Sequence, residues 1–415
     1  MDKPALTYKS HSGERLLTVA VVTETYPPEV NGVARSIARM VEGLVARGHR
    51  VRLLRPMQSR KDTAAGEAGF SETLMASLPI PGYPGLRMGL PSALRLFADW
   101  KRERPDLVHV VTEGPLGLAA VLVARRLGIP LSSDFHTNFD YYSRHYGMAW
   151  FKGAVAGYLR WFHNLAAETY VPTREMQAAL ANRGFRGVEV VSRGVDCSLF
   201  APSRRNETLR AQWGVKPDEV VACCVGRVAP EKNLELLLRT YRALRESVPN
   251  AHLVIVGDGP SRSRLQSAYP EVIFAGMQQG LALAEHYASA DMFLFPSLSE
   301  TFGNVTLEAM ASGLPVVAYD YAAATEAIVD GESGVRVEPG DAESFVAAAV
   351  HLAGRPDLRS QIGLAARDCA ERFDWEEVND VFEQRLSEVA RSSRGGELRP
   401  GRASKGSITM RERAR

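Results

Sequence analysis

The sequence predicts an α/β protein built from two parallel-sheet domains. Three observations carry that expectation. The chain has 415 residues, and a single hydrophobic core stops growing at roughly 250–300 residues. Leu17 to Leu54 reads as strand, loop, helix and strand, a βαβ unit that implies a parallel sheet. Phe295 to Tyr319, FPSLSETFGNVTLEAMASGLPVVAY, reads as a turn, a short helix, a glycine stop and a buried strand.

Bulk composition narrows the class. A hydrophobic fraction of 45% and a charged fraction of 24% are those of an ordinary soluble protein. A formal charge of +2 demands no nucleic-acid partner, and none is expected. The four cysteines, Cys197, Cys223, Cys224 and Cys369, form no C-x-x-C pair and read as reduced cytosolic thiols. No apolar run approaches the ~18–20 residues of a membrane span. Leu16 to Val22 follows Glu14 and Arg15 and leads into TETYPP without a small-residue cleavage site, so it reads as a strand rather than a signal segment.

Taken in order, residues 1–15 are polar and expected to be disordered. Leu17–Thr23 is a strand, Glu24–Asn31 a loop and Gly32–Arg47 a helix, with Val33, Ile37, Met40, Val41, Leu44 and Val45 at helical period. Gly48 stops it before strand Val51–Leu54. Asn31-Gly32 opens the helix without a G-x-G-x-x-G dinucleotide fingerprint. Residues 57–80 read as irregular, and Pro79–Pro91 as a long loop bearing Tyr83 and Arg87. Helix Ala93–Arg102, strand Asp106–Val111 and helix Pro115–Leu127 with Gly128 follow. His136 stands just past the next strand, where ligands gather in open sheets, although a lone histidine is as readily structural.

Met148–Leu165 is aromatic-rich and basic, with Trp150, Phe151, Tyr158, Trp161 and Phe162. Aromatics at helical spacing usually pack inward, and contact with a membrane interface is the alternative. Val188–Pro202 reads as the last strand of the first domain and the link to the second. Strand Val220–Gly226 ends in GRVAPEKN, placing Arg227 and Lys232 just before a helix that starts near Asn233. Two cations there suit a diphosphate. Strands follow at Ala251–Pro260, Val272–Met277 and Asp291–Pro296, then helices at Glu343–Leu352, Leu358–Arg372 and Phe373–Val389. The tail from Arg391 holds eight Lys/Arg and two Glu and reads as disordered and solvated. A polybasic tail also adds attraction to anionic lipid, roughly 1 kcal/mol per charge near the surface.

In the Phe295–Tyr319 stretch, Asn304 is the expected N-cap. A helix start leaves N–H groups unpaired and partially positive. Gly303 lets an anion approach the backbone, so the element offers donors to a phosphate or sugar hydroxyl. Glu300 would accept from hydroxyls, and Glu308, about one turn inside the helix, would reach vicinal hydroxyls such as a ribose carries. Two solvated glutamates on a surface helix are the plain alternative.

Glu300 and Glu308 with seven residues between them, followed by GLPVVA, resemble the signature of retaining nucleotide-sugar glycosyltransferases of the GT-B fold, family 4 type. The resemblance extends from Thr18 to about Phe382. It implies two Rossmann-like βαβ domains facing across a cleft: 16–195 on the acceptor side, 196–372 binding the nucleotide sugar, 373–390 as a helix crossing back, and 391–415 as a basic tail. It implies Arg227 and Lys232 on the donor diphosphate, Gly32 beside it, and Met277 at the nucleobase pocket. Glu308 would hold the ribose, and Glu300 with the backbone at Phe302, Gly303, Asn304 and Val305 the sugar, contacted across the cleft by His136. Catalysis is thus expected of His136, Glu300, Arg227 and Lys232. No D-x-D occurs, so no metal or other cofactor is expected, and cationic side chains and helix N-termini would neutralise the leaving group.

SDFHTNFDYYSRHYG, NGVARS and EGPLG are most similar to the GDP-mannose-dependent α-mannosyltransferase subgroup acting on glycolipids, which shades into UDP-sugar enzymes making glyceroglycolipids. Some guanine-using relatives carry an acidic residue shortly after the nucleobase strand. Here Gln278, Gln279 and Gly280 follow, which leaves guanine or uracil open. The implied partners are a nucleotide-sugar donor and a glycolipid or glycan acceptor. The implied location is the cytoplasm, with peripheral contact at the inner face of the cell membrane left open. A UDP-sugar 2-epimerase-like or non-catalytic sugar-nucleotide-binding protein on the same fold is the second class. A nicotinamide-dependent dehydrogenase is a third, disfavoured by the missing fingerprint.

Overall fold

A computed structural model describes residues 15–29, 31–59, 61–80, 87–136 and 149–392, without the side chains of 149–152. The expectations for residues 1–14, for Tyr83, for Met148, for the side chains of Trp150 and Phe151 and for the tail beyond Ser392 lie outside them.

The first sheet contains β1 (Thr18–Val22), β2 (Arg50–Pro56), β3 (Gly66–Glu67) and β4 (Phe70–Met75). A separate antiparallel hairpin is formed by β5 (Ser77–Pro79) and β6 (Arg87–Gly89). The first sheet continues with β7 (Leu107–Val110), β8 (Leu131–Asp134), β9 (Glu168–Val171) and β10 (Val188–Val190). Its order is β10-β9-β8-β7-β1-β2-β4-β3, parallel except for β3. The second sheet holds β11 (Val221–Val225), β12 (His252–Val256), β13 (Ile273–Gly276), β14 (Met292–Phe295), β15 (Val316–Tyr319) and β16 (Val335–Val337). It is wholly parallel, in the order β13-β12-β11-β14-β15-β16.

Helices cover both faces of each sheet, so the central strands are buried on both sides and read as unbroken apolar runs. VACCV and MFLF are such runs, and their cysteines are buried and free of disulfides. Among the described residues, no helix is long and apolar enough to cross a membrane.

Several expectations are corrected. Residues 57–80 are not irregular: β3, β4 and β5 lie there. Phe70–Met75 extends the sheet beside β2, so its outward side chains stay half exposed and the apolar run is broken. The Pro79–Pro91 loop closes into the β5–β6 hairpin at its described ends. β9 and helix Arg174–Asn182 lie between residues 166 and 187, where the sequence predicts no element. The helix after β11 begins at Leu234, not Asn233. Asn233 adopts a left-handed conformation, φ 52°, at the exit of a short 3-10 turn over Pro230–Lys232.

The chain crosses between the sheets twice. On the outward crossing Val195 donates its N–H to Phe373 O at 2.8 Å. A Cβ on Gly194 would stand 2.6 Å from the Trp375 ring. The terminal helix, Trp375–Ser392, then lies on the first domain and buries Val378, Phe382, Leu386 and Val389 in the core beneath β1. It packs so closely on helix Gly32–Ala46 that a Cβ on Gly43 would overlap the Asn379 amide. Arg47 to Asp380 at 2.5 Å and His49 to Glu383 at 2.9 Å rim this contact.

Gly43→Val should therefore lower the unfolding free energy by about 1–3 kcal/mol through overpacking. Adding Asn379→Ala should recover part of that loss. Thermal melts of the two variants check the pair, and equal melts for both would show that Asn379 is not the obstacle.

Candidate active site

The carboxyl ends of both sheets point into one cleft, because parallel strands linked by helical crossovers all send their loops to the same edge. β1, β8 and β9 supply one wall, and β11, β14 and β15 the other.

On the second wall, the Lys232 ammonium pairs with Glu300 Oε1. Ser297 Oγ donates to that same oxygen at 2.6 Å. The ammonium also stands 5.6 Å from the centre of the Phe295 ring, within cation–π range. Arg227 is set differently. Its side chain is 62% exposed, and its nearest ion-pair partner is Glu231 at 3.6 Å. One cation is thus anchored beside Glu300, and the other is a long arm at the entrance.

Gly303 adopts φ 89°, ψ 62° and is itself the residue that precedes helix Asn304–Ala311. The expected Asn304 cap is corrected here. The turn needs a left-handed residue, which glycine supplies at no steric cost, so Asn304 becomes the first helical residue. Its side chain reaches across the cleft, where Asn304 Nδ2 donates to Ser36 Oγ at 3.5 Å. Phe302 is buried and Val305 half-buried, so both turn their side chains toward the core and leave backbone to the cleft.

Glu308 is buried and accepts a 2.9 Å hydrogen bond from Tyr287 OH. Burial raises its pKa, while the charge of Arg35 on the opposite domain and the Tyr287 bond pull it down. Met277 is 56% exposed at the end of β13, an uncovered apolar surface of the kind a planar base would cover. Gln278 Nε2 is turned away onto Ala275 O at 2.8 Å.

On the first wall, Asn31 caps its helix by accepting from Ala34 N at 2.8 Å. A Cβ on Gly32 would meet nothing within 4 Å, so the fold itself does not require glycine there. Glu24 is half-buried and accepts from Gly89 N at 2.5 Å and Leu116 N at 3.0 Å. Burial raises its pKa and those backbone donors lower it. His136 is held from both walls. Its Nε2 lies 3.2 Å from Asp134 Oδ2, and its carbonyl accepts from Thr301 Oγ1 at 3.4 Å.

A cavity of about 440 Å³ opens beside Glu300 between the walls, with Phe135, Thr173, Met176 and Leu180 on one side and Thr301 and Tyr321 on the other. The segment between residues 166 and 187 helps to close this cavity. Arg174 N donates to Glu326 Oε1 at 2.6 Å, and Ala322 N to Glu175 Oε2 at 3.4 Å, so two helix starts exchange glutamates across the cleft. Thr173, which accepts from Met176 N, is an N-cap that could have marked this helix in the sequence.

The structure brings His136, Lys232, Glu300, Gly303 and Asn304 to facing positions, with Gly32 and Arg227 at the rim. Glu308 lies deeper, under Tyr287, and Met277 stands at the far end.

Comparison with known proteins finds the same division. Residues 30–199 match the Glycosyltransferase Family 4 model, and residues 219–355 the model described as Glycosyl transferases group 1. A "GDP-mannose-dependent alpha-mannosyltransferase" of Mycobacterium tuberculosis (strain CDC 1551 / Oshkosh) is 36% identical over 372 residues, covering 87% of this chain and 94% of that one. An "Alpha-monoglucosyldiacylglycerol synthase" of Acholeplasma laidlawii is 26% identical, covering 82% and 89%. A sucrose-phosphate synthase structure from Thermosynechococcus elongatus superposes with a TM-score of 0.73 at 18% identity, over 91% of this chain and 100% of that one. Its likeness bears on the fold alone, the two-domain GT-B architecture.

The raised pKa of Glu308 has a stability consequence. The folded state holds this proton more tightly than the unfolded chain, whose carboxyl titrates near 4.5. Stability therefore falls as pH rises from that value through the folded pKa. Glu308→Gln keeps an acceptor for Tyr287 and removes the buried charge. It should melt above the wild type at neutral pH, with the difference vanishing below about pH 4. Melting curves across pH check this, and a pH-independent difference would contradict it.

Proposed function

The chain belongs to the family 4 glycosyltransferases, and from that membership we propose that it transfers mannose from GDP-mannose to a glycolipid or glycan acceptor with retention of configuration. It is a nucleotide-sugar-dependent hexosyltransferase. The mannosyl assignment draws on the mannosyltransferase relative at 36% identity over most of both chains. The site observation that supports it best is the anchored Lys232–Glu300 pair beside the Gly303 helix start, opposite His136.

In this reading Lys232 and Arg227 bind the diphosphate with the first amides of helix Asn304–Ala311, and Gly32 leaves room for it from the opposite wall. Lys232 is the general neutralising charge, and Arg227 closes from the rim with its paired donors. Glu308 accepts from ribose hydroxyls and Met277 packs on the base. Glu300 and His136 orient the sugar. The acceptor hydroxyl attacks from the face of the departing diphosphate. The anomeric C–O bond to phosphate breaks, the new glycosidic bond forms, and the hydroxyl proton passes to the leaving phosphate oxygen. The products are GDP and a mannoside. Charge on the leaving group is met by protein cations and a helix N-terminus, so we expect turnover to persist in chelator.

The acceptor side carries an amphipathic face. Trp161 and Leu122 are each 47% exposed. The segment just after the Trp161 helix is held to the Leu122 helix where Arg125 Nη1 donates to Leu165 O at 3.0 Å, and Arg126 and Arg160 lie on these two helices. An exposed tryptophan and leucine on helices that also carry arginines suit a bilayer interface with anionic headgroups. We place peripheral contact with such a membrane here. Phe162 and Leu159 of the same helix are buried, so its other face serves the core.

Three measurements test the reading. Thermal stabilisation by GDP-mannose and GDP, without metal, is expected to reach ~2.7 kcal/mol at a hundred times the dissociation constant. A response to UDP compounds alone would overturn the donor and favour a UDP-sugar glycolipid enzyme. Lys232→Met should lower kcat about 10²-fold or more, as loss of a preorganised charge does, and unchanged turnover would remove Lys232 from the mechanism. Trp161→Ala should weaken co-sedimentation with phosphatidylglycerol vesicles relative to phosphatidylcholine vesicles, and equal binding to both would contradict the membrane face.

A further inference from the structure

Behind His136 lies a buried polar cluster that the reaction as described does not use. Asp134 ends β8 and is 1% exposed. Its Oδ2 stands 3.2 Å from His136 Nε2 and 3.6 Å from Arg193 Nη2, and its Oδ1 3.7 Å from His109 Nε2. His109 and Arg193 are buried too. His109 is fixed by Ser132 Oγ at 3.0 Å from Nδ1 and by Phe382 of the terminal helix, whose ring meets it edge-on at 5.2 Å. Arg193 belongs to the linker between the domains and donates to Val191 O at 3.2 Å.

A buried carboxylate is costly unless charges and hydrogen bonds hold it. Burial opposes ionisation of Asp134, but His109 and Arg193 outweigh it and hold the carboxyl well below the usual carboxylate range. An ionised carboxylate accepts only, so the ring nitrogen facing it, Nε2, must be the one that carries a proton. In the neutral imidazole that leaves Nδ1 as the acceptor.

We propose that Asp134 is a positioning residue for glycosyl transfer, fixing His136 in the Nε2–H tautomer so that Nδ1 accepts a hydrogen bond from a hydroxyl of the bound substrate. Arg193 ties this carboxylate to the linker, so the ring orientation is set by the same segment that joins the domains. Asp134 touches no substrate itself and acts through His136 alone. A carboxylate serving only to staple the linker would need Arg193 but not a histidine whose carbonyl bonds the opposite wall. The inference rests on the assignment of His136 to the sugar site.

The test combines kinetics with spectroscopy on the full chain. Asp134→Asn presents an amide that can donate to Nε2 and so favours the wrong tautomer. It should lower kcat about 10²-fold, the scale of a misplaced reacting group, with the GDP-mannose dissociation constant changed less than about threefold. In a His136→Ala background the same substitution should cost no further activity. Additive losses, or a loss confined to donor binding, would overturn the proposal. Nitrogen-15 imidazole spectra of the wild type, assigned by difference against His136→Gln, read the tautomer directly and need no folded Asp134 variant. Nε2–H with an unprotonated Nδ1 supports the proposal, and Nδ1–H overturns it. Failure of the wild type to transfer mannose would instead sink the donor assignment, while the spectra would still report on the Asp134–His136 pair.

Discussion

The cleft depends on how the chain crosses between its two sheets. Each parallel sheet presents a row of loops at its carboxyl edge, and such a row is a site only if something faces it. The outward linker and the returning segment meet where Val195 bonds Phe373 and Gly194 lies on the Trp375 ring. The terminal helix then buries one apolar face in the first core. Together these contacts join the two sheets by two strands of chain instead of one. Contacts as light as Asn304 to Ser36 and Thr301 to His136 can then span the cleft.

A second constraint is electrostatic. The site gathers buried and half-buried carboxylates, and each is answered differently. Glu300 is neutralised by Lys232 and bonded by Ser297. Asp134 is held ionised by His109 and Arg193 against the cost of its burial. Among the described residues Glu308 has no comparable cation in contact, only Tyr287 and the more distant charge of Arg35, so burial dominates and raises its pKa. A hydrogen-bond acceptor buried in this way carries a desolvation cost, which donors arriving beside it would offset. That pattern fits a site tuned for a polar ligand rather than for stability.

The two walls also divide the chemistry. The second domain holds Lys232, Glu300 and Gly303 on short turns directly after β11 and β14, strands with both faces buried. The first domain offers more peripheral elements: the hairpin of β5 and β6, the exposed Trp161 face, and the helix start at Thr173. A rigid half suits a donor common to a family, and a variable half suits acceptors that differ among its members.

The sequence by itself determined the fold class and the elements of strongest period. Helices Ala93–Arg102 and Pro115–Leu127 and the buried strands were legible because apolar spacing and glycine stops are local signals. The seven-residue interval between Glu300 and Glu308, with Gly303 between them, was legible for the same reason. Strand β4 and the segment 166–187 were not, because an edge strand is only half buried and a short capped helix carries little periodicity. Only the tertiary structure decided that Asn304 reaches Ser36, that Glu308 sinks beneath Tyr287, and that Asp134, His109 and Arg193 converge behind His136. Those relations join residues as far as 268 positions apart. Their energies depend on burial and distance, which no local pattern of residue types encodes.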